Sequence, residues 1–491
     1  MATARGALEF RAAKPGAKLA PERGSMHHKL VLAAAVAASA GCGAAVPTTG
    51  PSPAPDAACV WTGDSSRTPH LLKDINVGPG SSELWAPIAV GACRVFFAAN
   101  DGLRGRELWA SDGTEAGTVL VKDIRLGSAQ SDPVALRMVG RRLFFDADDG
   151  VHGRELWTSD GTEGGTRLVR DISPGSKDSR LRDLVERRGM LFFLAGTGDD
   201  TTLWRSGGTE AGTQPVGTFP GGVSLRDVNG TLFLFAKSAD GTYALFKGDG
   251  TPNGMSAVLE RMTAPEVVVS AASSLFFFLR LPSDGAELWK VDADGTGARR
   301  LAIFPRDRPT EIGGTNAVGV NGQLYFSVDD RPSFVGTGHG RELWASDGTP
   351  EGTRMVGDLV PGADASEPRT LTARADALFF IAWTGSPWWR SPHGLWRTDG
   401  TAGGTVLVHS FPKSVSMTTA GSLLVLSGTD TEHGRELWTS DGTPEGTRLV
   451  DDILPGTGDS SPGNLTSAGP FVFFSATDGV RGFEPWVWRR P

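Results

Sequence analysis

Three aspartates, Asp146, Asp148 and Asp149, fall within the stretch "DADDGVHG". Carboxylates bunched with backbone carbonyls in a loop form the donor set of a hard cation such as calcium. Related loops hold Asp101, Asp329 with Asp330, and Asp430 with Glu432. None carries the calcium loop with a closing glutamate at its twelfth position, so a solvated Asp-Gly turn is the competing reading. His152, His339 and His433 share one repeat position before Gly-Arg-Glu; spread over separate repeats, they make rim residues and not a three-histidine centre. A second chemistry is stacking. The stretch "VDDRPSFVGTGHG" adds Arg331 and Phe334, and "TGSPWWRSPHG" adds Trp388, Trp389 and Arg390. Aromatics flanked by arginine suit a sugar ring or a protein partner, whereas capping of the chain's own core is the bland alternative for the two tryptophans. No G-x-S-x-G elbow, P-loop, H-E-x-x-H or dinucleotide fingerprint appears, so no catalytic residue is nominated. A carboxylate pair at a channel mouth, giving a polysaccharide hydrolase or lyase, is the alternative function.

These loops hang on a repeat. A tryptophan recurs at Trp61, Trp109, Trp157, Trp204, Trp289, Trp344, Trp396, Trp438 and Trp486, with Phe246 substituting once. Upstream lies an aromatic pair, as in "RLFFDAD" and "ALFFIAW", and downstream a second apolar run such as "TVLVKDI". Short apolar runs separated by Asn-Gly, Asp-Gly and Gly-Gly read as about four strands per unit joined by hairpins. In "RELWAS", Glu107 and Trp109 face one way and Leu108 the other, so both faces carry bulk, as in a sheet held between two sheets. The recurring aspartates of the turn, Asp112, Asp160, Asp347, Asp399 and Asp441, are read as structural, because a catalytic group is needed once. The recurring Arg-Glu pair, as at Arg106 with Glu107 and Arg341 with Glu342, is read as inter-strand anchoring.

Four strands in each unit of this length predict an all-β chain: a single β-propeller of about eight to nine four-stranded blades. Its first folded segment, "CVWTGDSSRTPHLLKDI", supplies the second half of a unit and its last, "FVFFSATDGVRGFEPWVW", the first half. N- and C-terminal half units therefore close the ring. The two longer loops fall between the same pair of strands in adjacent blades, which sets them side by side on one face, where binding residues commonly sit.

The segments "ELWASDGTEAGT", "ELWTSDGTEGGT", "ELWASDGTPEGT" and "ELWTSDGTPEGT" resemble the bacterial ELWxxDGT repeat family, whose members are secreted or surface-anchored and sometimes labelled hyalin-like. The resemblance covers nearly everything from about Ala58 onward and is weaker in "ALFKGDGTPNG" and "ELWKVDADGTG". It implies a surface β-propeller with no general activity and no catalytic residues to carry over.

The stretch "MHHKLVLAAAVAASAGCG" has a short basic start, an apolar run and small residues before Cys42, the layout of a secretory signal. It is similar to a lipoprotein signal in which Cys42 receives the lipid, with Ser39 where that pattern usually has Leu; a plain secretory signal cleaved nearby is the other reading. Residues 1–25 form a charged leader out of keeping with such a signal, so Met26 is a candidate start. Residues 26–41 are then the signal peptide, 42–57 a Pro-, Ala- and Thr-rich tether, and 58–491 the repeat domain. Cys59 and Cys93 could pair in an oxidising compartment or stay separately reduced. A formal net charge of -8 with dispersed cations argues against nucleic acid. The expectation is an extracytoplasmic, lipid-anchored monomer at the cell envelope that binds a polysaccharide or surface protein and touches the membrane only through its anchor.

Overall fold

A computed structural model describes Trp61 and residues 66–491, apart from 85–87, 197–199, Ala239, Asn253, 283–284, 305–316, 332–337, Asp376, 388–390 and Ser414. Its strands form nine four-stranded antiparallel sheets. Blades 1 to 8 each take four consecutive strands; blade 2 is Val134–Val139, Arg142–Asp148, Arg154–Ser159 and Arg167–Arg170. Blade 9 takes Gly463–Ala468, Phe471–Ala476 and Glu484–Arg489 from the end of the chain and His70–Leu71 from its beginning. Closure is thus three strands plus one, where two half units were expected. Trp61 lies outside any strand, packing against Phe471 and Phe473. It is therefore no blade residue, and the count is nine.

Period-two alternation explains the double-sided core. Phe96 with Leu108 and Ala110 of blade 1 meets Leu143, Phe145 and Trp157 of blade 2, while neighbouring Phe97 and Trp109 meet Phe471 and Phe473 of blade 9. Nine such clusters fill the nine junctions, so the described blades form a closed ring, each sheet keeping only short edge strands. The aromatic pair and the tryptophan are cross-strand partners: Phe145 faces Trp157 and Phe380 faces Trp396, the latter rings stacked with centroids 6.4 Å apart.

The Asp-Gly-Thr turn is held by its own side chains. Asp112 Oδ1 accepts from Thr114 N at 2.9 Å and Thr114 Oγ1 at 2.7 Å, Thr114 Oγ1 accepts from Gly117 N, and Thr118 Oγ1 donates to Thr114 O. Gly113, at φ 93°, takes the left-handed conformation that the turn requires. The same bonds recur at Asp160, Asp347, Asp399 and Asp441, which makes these aspartates structural.

Blades leave the ring by two routes. In blades 3, 4, 5 and 7 the last strand is long, as at Gln214–Pro220 and Val406–Phe411. In blades 1, 2, 6 and 8 it is a four-residue strand, such as Val119–Lys122, followed by a longer crossover. The short strand stops level with Leu108, leaving the crossover's backbone N–H groups without a ladder partner. Glu107 replaces that ladder: its carboxylate accepts from Ile124 N at 2.9 Å, Ser131 N at 2.8 Å and Ser131 Oγ at 2.6 Å. Ser131 O in turn accepts from Asp148 N of the next blade. Glu155, Glu342, Glu436 and Glu484 occupy the same position, and Ser179, Ser366, Ser460 and Ser82 link them to the next blade. All ten side chains belong to residues with no exposed surface. Where the last strand is long, the position holds Thr202, Ala244 or Gly394, or Glu287, which sits half-buried and pairs with Arg300 instead.

Candidate functional site

Because the strands within a blade are antiparallel, the loops between second and third strands share one face of the ring with the crossovers between blades. These loops are built around a carboxylate that closes on its own backbone. Asp149 accepts from Val151 N and His152 N at 2.8 Å each, and from His152 Nδ1 at 2.7 Å. Asp330 with His339 and Asp430 with His433 repeat that contact at 2.8 Å. Arg104 and Arg481 take the histidine's place beside Asp101 and Asp478. The carboxylates of Asp149 and Asp430 lie below their ordinary range: burial raises each, but backbone and side-chain hydrogen bonds outweigh that, while the partner histidines His152, His339 and His433 are raised.

The three residues considered for calcium go to different partners. Asp146 lies on the second strand, 3.3 Å from Arg154 Nε, and burial pushes it up to about 6 against that charge. Asp148 pairs with Arg125 of the preceding crossover, and Asp149 with its own loop. Among the described residues no group of three or more His, Cys, Asp or Glu side chains converges as a metal site. Arg331 lies against Asp329 and donates to Ala363 O. Phe334, Trp388, Trp389 and Arg390 lie outside the described residues, as do Cys42 and Cys59. At the root of the second long loop, Arg369 sits over the Trp383 ring at 5.4 Å and 2.7 Å from His393 Nε2. Cys93 is disulfide-bonded.

Two features escaped the sequence reading. One is the buried Glu–Ser couple; the signal was present, since glutamate stands two residues before the repeat tryptophan, with a crossover serine, wherever the last strand is short. The other is an aliphatic arc. The most exposed large apolar side chains among the described residues are Val77 and Leu126 (83% each), Val480 (75%), Leu103 (71%) and Val151 (66%). All five lie on the loop face of blades 9, 1 and 2. The loops interlock: Arg481 reaches Asp74 at 3.5 Å, Gly102 lies against Asn76, and Arg125 pairs with Asp148. The five side chains therefore follow one another along one rim. In the crossovers after blades 2, 6 and 8 the same position is Pro174, Pro361 or Pro455.

The buried glutamates also set a pH dependence. Burial pushes Glu107, Glu155 and Glu484 up to about 7 and Glu342 up to about 8, hydrogen bonds holding each back; Glu436 moves the same way. A carboxyl whose folded value is raised contributes stability that is complete below its unfolded value near 4.5 and is lost as pH rises through 7 to 8. The loop aspartates act oppositely, losing their contribution below about 4. The thermal midpoint is therefore expected to be highest near pH 4 to 5, to fall between about pH 5 and 8 and to level off above that; a midpoint that rises between about pH 5 and 8 would contradict the assignment.

No family model matches the chain, and no curated protein matches it. Solved structures similar to it include puromycin hydrolase, in its S511A form, at 12% identity with a TM-score of 0.36, covering 72% of this chain and 59% of that one. A prolyl endopeptidase gives 14% identity and a TM-score of 0.38, over 70% and 53% of the two chains. The β-propeller domain of the Trilobed protease from Pyrococcus furiosus gives 9% and 0.35, over 63% and 94%. The chain thus spans little more than half the length of the first two, and the likeness concerns the fold.

Proposed function

We propose that the chain is an extracytoplasmic propeller, held to a membrane by a lipid on Cys42, that acts as a binding or scaffold module at the bacterial cell envelope for a polysaccharide or a surface protein. The observation that carries this reading is the aliphatic arc. Exposed valines and leucines gathered on one rim lose free energy to water and gain it under a partner. The rigid ring beneath supports such a surface, since every junction is filled by a core cluster. The two long loops of blades 6 and 7 open on the same face, which adds a second contact region. The signal-like segment before Cys42 supports export and anchoring, and mass analysis of the processed N-terminus checks it.

The test is a pull-down of envelope polysaccharides and surface proteins with the purified chain, comparing wild type with Leu103→Asp/Leu126→Asp and with Trp388→Ala/Trp389→Ala. Retention lost in either variant, at an unchanged thermal midpoint, supports the reading and locates the contact. A ligand held equally by all three proteins, or by none, counts against it.

A further inference from the structure

At two junctions the residue after the stapling serine forms an ion pair with the residue before the stapling glutamate. Arg106 and Asp132 approach to 3.2 Å, and Arg341 and Glu367 to 3.4 Å. The seam between blades 9 and 1 keeps the left-handed acid of this arrangement but shifts its backbone hydrogen bond by one residue. Glu83 follows Ser82 with φ 54°, as Asp132 (48°) and Glu367 (50°) follow Ser131 and Ser366. Ser82 N donates to Phe483 O at 2.9 Å, and at the other two junctions Asp132 N donates to Arg106 O and Glu367 N to Arg341 O. The arginine, however, is replaced by Phe483. Glu83 consequently has no arginine at the position that pairs the acid at those two junctions, and Phe483 is 40% exposed.

At this position lies a cleft of about 460 Å³, lined by Ser81, Glu83, Leu84, Asn464, Ser475 and Phe483. This is within the size range of small-ligand sites. Its chemistry is specific: one aromatic face, one carboxylate that only accepts, two hydroxyls and one amide. Asn464 is fixed by donating to Leu84 O. The cleft opens on the face that carries the aliphatic arc.

We propose that this seam cleft binds a neutral sugar residue, the apolar face of the pyranose lying on Phe483 and its hydroxyls donating to Glu83 and exchanging hydrogen bonds with Ser475 and Ser81. The proposal rests on the reading of the ring as a polysaccharide-binding module. A carboxylate at the wall disfavours uronic acids and favours neutral hexoses and N-acetylhexosamines. The repeat itself supplies the decisive variant. Phe483→Arg supplies the arginine that pairs the acid at the other two junctions and is expected to face Glu83 and fill the cleft.

The experiment is saturation-transfer NMR on the full chain with glucose, N-acetylglucosamine and glucuronate, for wild type, Phe483→Arg and Glu83→Gln. The expected result is transfer to the two neutral sugars and little to glucuronate, with affinity reduced about tenfold or more in Phe483→Arg and its thermal midpoint equal or higher. Neutral-sugar binding that survives both substitutions overturns the cleft while leaving the polysaccharide-binding reading in place. If wild type binds neither neutral sugar, yet the chain still retains an envelope polysaccharide in the pull-down, the seam proposal alone fails. Absence of both signals defeats the two together.

Discussion

Replacing Glu107 by alanine is expected to destabilise the ring by about 3–5 kcal/mol, because three donors converge on one carboxylate in a site closed to water. Ile124 N, Ser131 N and Ser131 Oγ would all lose their acceptor. A side-chain hydroxyl can turn to another partner, whereas the two backbone N–H groups are fixed by the crossover. Each buried donor left unpaired costs about 1–3 kcal/mol. Gln at the same position keeps one carbonyl acceptor and sets an NH2 group against a donor, so Glu107→Gln should fall between wild type and alanine. Urea unfolding followed by tryptophan fluorescence measures both, since Trp109 and Trp157 line the two junctions of blade 1. The corresponding control is Glu287→Ala in blade 5, where the last strand already supplies the ladder: a change of no more than about 1 kcal/mol is expected there. Equal effects at Glu107 and Glu287 would refute the stapling role.

Removing the chain through Ile75 should be the most damaging change to the ring. His70 and Leu71 pair with Val487 and Trp486, Leu72 N donates to Pro485 O, and Leu72 and Ile75 are buried in the seam core. Without them blade 9 has three strands, Val487 and Trp486 gain water, and Glu484 loses its Ile75 donor. Burial of Leu72 and Ile75 alone is worth about 3–6 kcal/mol, to which the exposed strand edge adds. Measured under reducing conditions, so that the Cys93 disulfide makes no contribution, the truncated chain should unfold at a far lower urea concentration and aggregate. Addition of a peptide spanning residues 66–82 should recover part of the loss. A truncated chain as stable as the intact one would mean that the ring is not closed by this strand.

Much of this architecture can be read from the residues. The aromatic pair, the Leu-Trp pair and the Asp-Gly-Thr turn each mark a strand or hairpin whose local chemistry is self-contained, and they gave the blade repeat and the structural role of Asp112 and Asp160. Trp61 misled because a tryptophan before an apolar run imitates the repeat; only its contacts show that it caps Phe471 and Phe473 from outside the strands. The function of Glu107 needed the length of the following strand, which is a matter of pairing and not of composition. The seam cleft was less visible still. Glu83 and Phe483 stand 400 positions apart in a sequence where their equivalents, Asp132 and Arg106, are 26 apart, so the exchanged arginine becomes meaningful only once the ring brings the two ends together. The aliphatic arc likewise draws on loops from three blades.

On the proposed reading, the ring holds an envelope polysaccharide or surface protein without altering it. Purified envelope polysaccharide passed over the immobilised chain and then sized by chromatography tests this most directly. Retention on the wild-type chain, with the polymer eluting at its original length, is the expected result. Polymer that emerges shortened would contradict it and point to a hydrolase or lyase in place of a binding module, and polymer that passes unretained, with surface proteins passing unretained as well, would also contradict it.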